Sequence, residues 1–138
     1  MADDFSLCLV TNSRMAARAI TRRYDRILRG TGVNATQLSL MAAIWHLPGR
    51  TVSELAEFRG FERTTLTRNL DRLEQLGLVA SRPAARGNGR LCEVTPEGEA
   101  LMVSLLPRWR QAQAEMRDLL SAEGFDGSIK VLKRLAEA

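Results

Sequence analysis

Aromatic side chains make up only 5% of the 138 residues, so a core must be built mainly from Leu, Val, Ile, Met and Ala. Histidine occurs once, at His46, and a single histidine cannot build a His-based zinc site. The two cysteines, Cys8 and Cys92, are too few for a disulfide framework and lack metal-ligand spacing, which fits a reducing compartment. No apolar run approaches the ~18 residues of a membrane span, and Asp3 and Asp4 stand where a secretory signal would carry basic residues. A glycine loop followed by Lys, a Gly-x-Ser-x-Gly elbow and carboxylates paired at a catalytic spacing are all missing. The sequence therefore predicts a cytoplasmic, soluble, non-enzymatic protein with no metal, no cofactor and no membrane partner.

What is present is globular in character. The chain is 45% hydrophobic and 26% charged, and its length suits one domain. Lysine is scarce: eighteen of the twenty basic residues are Arg, against sixteen acids, for a net charge of +4. Residues 1–30 hold six Arg against three acids, and residues 63–90 hold six against two. The last segment, 96–138, is nearly balanced, with six basic and seven acidic groups. Arg binds phosphate bidentately and reads guanine edges. The concentration in 63–90 points to a nucleic-acid surface, against the plainer reading of solvated Arg faces.

Six helices and a hairpin are expected. Ala16, Ile20, Tyr24, Ile27 and Leu28 recur at helical spacing within 5–29, which Gly30 and Gly32 end. Asn34-Ala-Thr-Gln37 and Thr51-Val-Ser-Glu54 have the form of capping boxes and open helices through Trp45 and through Phe58. A helix over 62–76 places Leu66, Leu70, Leu73 and Leu76 on one face and Thr64, Thr67, Arg68, Asp71 and Gln75 on the other. Leu78-Val79 and Leu91–Val94 read as short strands around a loop in which Asn88, between two glycines, makes the turn. Thr95-Pro96 starts a long helix that Pro107 should bend, and a last helix follows Gly124 with Phe125, Ile129, Leu132 and Leu135 inward.

A short helix, a tight turn at Gly60-Phe61, and a second helix with polar outward residues form a helix-turn-helix pattern, whose second helix enters a major groove. Arg63, Thr64, Thr65, Thr67 and Arg68 fall in its first two turns, where the helix dipole also favours phosphate. Arg72 and the loop residues Arg86 and Arg90 extend the basic surface. The competing reading is an interaction module whose Arg cluster meets an acidic protein, although such modules more often expose aromatic or aliphatic anchors.

Three runs, Thr51-Val-Ser-Glu-Leu-Ala56, Arg63-Thr-Thr-Leu-Thr-Arg-Asn-Leu70 and Leu73-Glu-Gln-Leu-Gly-Leu-Val79, resemble the DNA-binding core of the MarR family of bacterial transcription regulators. Val94-Thr-Pro-Glu-Gly98 resembles the junction from that family's wing into its long fifth helix. The likeness reaches Tyr24-Asp25 and Trp109-x-x-x-Gln113. It implies a winged helix-turn-helix, mainly α with a small β-wing, in one domain over 1–138. Residues 35–95 would form the DNA-binding lobe, and 5–30 with 96–138 the helices of a homodimer. It implies base contacts by Thr64, Thr65 and Arg68 on double-stranded DNA, and repression relieved by an effector.

In that family the wing often carries an Asp and, two residues later, an Arg, at positions matching Arg86 and Asn88. This chain has Arg86-Gly-Asn-Gly-Arg90 instead, leaving Arg86 and Arg90 both as candidates for a minor groove. The family's effector is a small, often anionic aromatic compound held between the dimer helices and the DNA-binding lobe. The corresponding residues here are Arg14, Arg18, Met41, Trp45, His46 and Trp109, each of which also has an ordinary structural reading as core or surface. The family's thiol-sensing branch places a reactive cysteine about two residues from the position of Cys8. That position also suits a small buried hydrophobe among Phe5, Leu7, Leu9 and Val10.

Overall fold

Local signals set most element boundaries. A computed structural model, describing residues 1–87 and 89–138, shows α1 (Leu9–Ile27), α2 (Ala35–His46), α3 (Val52–Arg59), α4 (Arg63–Gln75), β1 (Val79–Pro83), β2 (Arg90–Val94) and α5 (Pro96–Ala136). Both capping boxes form: Asn34 and Thr51 accept from the third backbone N–H of their helices, and Gln37 and Glu54 return to the cap. Gly60 ends α3 in the left-handed region at φ 68°, which lets the chain turn at once into α4. The Asn88 turn lies outside the described residues.

Two helical expectations are corrected. The first helix does not run from residue 5: Asp4 caps a 3-10 turn at Phe5–Leu7, Cys8 is extended, and α1 starts at Leu9. The last two helices are separate segments of α5, as expected, but the break between them falls at Ser121 (φ 65°, ψ 163°) and not at Gly124. Ser121 Oγ accepts from the Gly124 N–H at 3.1 Å and so caps the second segment. Pro107 lies inside the first segment of α5 and does not end it, since proline's fixed φ is compatible with a helix.

The core sits under α4. Leu66, Leu70 and Leu73 are fully buried against Leu40, Met41, Ile44, Leu55 and Cys92, and each such side chain contributes about 1.5–3 kcal/mol. Leu76, expected on the same face, is half-exposed, since it is the C-cap residue just before the turn at Gly77. β1 and β2 pair antiparallel from Val79↔Val94 to Pro83↔Arg90. The hairpin is tied to the segment before α3, where Leu91 bridges Thr51 and the Cys92 N–H donates to the Arg50 carbonyl.

Polar contacts fix the long helices to this lobe. The Asp25 carboxylate accepts the Ala35 N–H at 2.7 Å at the start of α2, and the Tyr24 hydroxyl donates to Gln113 Oε1 on α5. Arg108 donates from α5 to the carbonyls of Ile27 and Arg29, satisfying the end of α1. Phe5, Leu9, Val10 and Met15 at one end, and Leu119, Ile129, Leu132 and Leu135 at the other, remain exposed in the single chain. No helix of the described residues is long and apolar enough to cross a membrane.

Candidate nucleic-acid interface and effector cavity

Helix α4 presents Arg63, Thr64 and Arg68 to solvent, with Thr67 half-buried beside them. Its first turn differs from an open anion site. Glu62 is the N-cap, and its carboxylate accepts the backbone N–H groups of Thr64 and Thr65 at 3.1 and 3.0 Å, and the Thr65 hydroxyl at 2.6 Å. The dipole end is thus already filled by a carboxylate, and the Thr65 proton is committed. The same bonds, led by that from the Thr65 hydroxyl, pull the Glu62 pKa down from 4.5 to about 2.

This cap has a pH signature. The folded state favours the ionised carboxylate, so its contribution is complete above the ordinary value of 4.5 and is lost as pH falls toward 2. Thermal melts of wild type and Glu62→Gln between pH 2 and 6 should therefore converge at the acid end, with wild type the more stable at pH 6. Parallel curves would show that the charge on Glu62 does not stabilise the fold.

Of the two wing arginines, one is committed and one is not. Arg90 reaches back from β2 to α4, pairing with Glu74 at 2.8 Å and Asp71 at 3.4 Å, while also donating to Ser81 Oγ at 3.1 Å. Its guanidinium thereby fastens the wing to the helix. Arg86, near the wing tip, is exposed and makes no ion pair with the described residues. The Arg72 guanidinium donates to Gln75 Oε1 at 3.5 Å and makes no ion pair with the described residues.

Between α1, α2 and α5 lies a cavity of about 840 Å³. Trp45, His46 and Trp109 line it, together with Ile20, Tyr24, Leu38, Phe61, Met102 and Leu106. Three other effector candidates are not brought there: Met41 is fully buried in the core, and Arg14 and Arg18 lie exposed on α1 outside the lining. Glu99 is the single acidic group in the lining, and no Arg or Lys of the described residues joins it. The Tyr24 phenol, desolvated in this wall, is held above its ordinary pKa. Sequence reading missed Tyr24, Phe61 and Glu99 as lining residues, since only the folding of α5 across α1 and α2 assembles them.

The thiols differ sharply. Burial pushes Cys92 up to about 11, which keeps it protonated. Cys8 is half-exposed, and hydrogen bonds led by the Thr11 backbone hold its thiol below the ordinary value.

Helix α3, the turn at Gly60, helix α4 and the following hairpin make a winged helix-turn-helix, a DNA-reading architecture. The MarR family model matches residues 31–90. The chain is 37% identical to the M. tuberculosis transcriptional regulator MosR, solved in complex with DNA, over 94% of both chains and with a TM-score of 0.82. Two more distant structures share the fold. BpsR from Bordetella bronchiseptica is 16% identical, with coverage of 100% and 99% and a TM-score of 0.85. PcaV from Streptomyces coelicolor is 19% identical, with coverage of 100% and 98% and a TM-score of 0.83. No curated protein sequence matches the chain. The chain belongs to the MarR family, whose members are DNA-binding transcriptional regulators and not enzymes.

Proposed function

We propose that the protein is a homodimeric repressor that binds a pseudo-palindromic operator and releases it when a small aromatic compound fills the cavity. The observation that carries this reading is the exposed polar face of α4, with Arg63, Thr64, Thr67 and Arg68 directed away from the leucine core. A partner-binding helix would expose apolar anchors there. Two copies related by a dyad would place their α4 helices in successive major grooves, about 10 bp apart. MosR was solved with DNA and PcaV with its natural ligand, and regulation of BpsR by 6-hydroxynicotinic acid has been described, so both arms of the reading have relatives.

The unpartnered apolar residues of α1 and of the last segment of α5 support the dimer, because exposed patches beyond a few hundred Å² mark interfaces. Sedimentation at micromolar concentration should show a dimer; a folded monomer would contradict it. The cavity supports the effector arm, since its walls come from the helices of the expected interface and from Phe61 in the turn before α4.

Within the wing, Arg86 is assigned to the flanking minor groove and Arg90 to holding the hairpin against α4. Arg86→Ala should weaken binding evenly across major-groove sequences. It should also make the salt dependence shallower by about one unit for each phosphate that is no longer neutralised. Arg90→Ala should weaken binding without changing that slope. A slope change with Arg90→Ala and none with Arg86→Ala would reverse the assignment.

A further inference from the structure

The effector cavity has no cation in its own lining, but it adjoins a smaller recess of about 200 Å³ that does. The two share Ser39, Ala42, His46 and Phe61 as walls, and the recess adds Arg59. Arg59 is the last residue of α3; it is exposed and makes no ion pair with the described residues. Its neighbours on the same helix behave otherwise. Glu54 is occupied by Arg50, and Phe58 lies under the Arg50 guanidinium at 5.7 Å.

Resting on the effector reading of the cavity, we propose that Arg59 anchors an anionic substituent of the aromatic ligand at the junction of the two recesses. A planar guanidinium offers paired N–H donors that match a carboxylate, and the adjoining aromatic walls supply the apolar contact for the ring. His46, packed edge-on against Trp45 with ring centroids 5.1 Å apart, stands on the shared wall and can add a hydrogen bond. A carboxylate placed at the Glu99 side would meet like charge, so the anion's place is at the recess. The location also gives the ligand a mechanical handle. Arg59 and Phe61 flank Gly60, the left-handed residue of the turn between α3 and α4, so the anion is held by the reading head itself.

Calorimetric titration of the full-length protein with 1-naphthoate and with its uncharged counterpart 1-naphthamide tests this. The carboxylate should bind about tenfold or more tightly than the amide. Arg59→Gln should bring the carboxylate down to the amide's affinity and leave the amide unchanged. Arg59→Lys, which keeps the charge, should retain part of the preference, and unchanged melting temperatures should show that both variants fold. Equal affinities for the two probes in wild type would overturn the Arg59 assignment alone. So would a preference that survives Arg59→Gln and disappears in Arg18→Gln. Binding of neither probe would remove the effector reading of the cavity together with it.

Discussion

Replacing Arg68 by Ala should lower affinity for the operator by about 5- to 150-fold, the ~1–3 kcal/mol of discrimination that a bidentate Arg–guanine pair provides. Arg68 lies one turn into α4, on the face opposite Leu66, Leu70 and Leu73, exposed and without an ion pair to the described residues. Nothing in the fold depends on it, so the melting temperature should stay within a degree or two of wild type. The loss should be specific, with random duplex retaining most of its affinity. Fluorescence anisotropy on operator and scrambled duplexes at one salt concentration separates the outcomes. An equal loss on both duplexes would make Arg68 a phosphate contact, and no loss would take it off the reading surface.

The largest expected effect on stability is at Gly98. A Cβ at this position would stand 2.2 Å from the Leu78 carbonyl oxygen and 2.7 Å from Val94 Cγ1. The obstacle is backbone, so relief requires the start of α5 to move away from the corner between α4 and β1. That corner is held by the Thr95 N–H on the same Leu78 carbonyl at 3.1 Å and by the Thr95 hydroxyl on the Gly77 carbonyl at 2.7 Å. Gly98→Ala should therefore cost about 3 kcal/mol, at the upper end of overpacking effects. For a domain of this size that is a fall of roughly 10 °C in melting temperature, measured at fixed protein concentration because dimerisation contributes. A fall of less than about 2 °C would show that the junction yields easily.

Gly98 also shows how a sequence pattern acquires a physical reason. Thr95-Pro-Glu-Gly98 was legible as the start of a helix through Thr capping and Pro at the first position, and Thr95 does cap it through the Gly98 N–H. That the glycine is required by the Leu78 carbonyl, across the base of the hairpin, was not legible, since the approach exists only after β1 pairs with β2 and brings Leu78 beside the start of α5. The boxes at Asn34 and Thr51 and the leucine face of α4 were readable for the opposite reason. Their partners lie within four residues of one another, where spacing alone decides who meets whom.

The interface was legible in composition and less so in detail. Arginine density and polar helix residues pointed to α4 as the candidate reading surface, but Glu62 is an uncommon N-cap and its claim on Thr65 could not be seen from spacing. The two wing arginines look alike in sequence; Asp71 and Glu74, on another element, tell them apart. In α5 the proline drew attention, yet the break falls at Ser121, where a side-chain cap to Gly124 supports a backbone conformation rarely adopted outside glycine. The cavity between α1, α2 and α5 divides the same way. Trp45, His46 and Trp109 were reached through the family resemblance, whereas Arg59 was not singled out, since its position beside the cavity depends on how α3 docks beneath α2.

The central claim is that this chain distinguishes one DNA sequence from others. Its most direct test is the ratio of affinities, at a single salt concentration near physiological strength, for the duplex upstream of the protein's own gene and for random duplex of equal length. The expected ratio is about 10³ or more in favour of the upstream DNA. A ratio near one would contradict it.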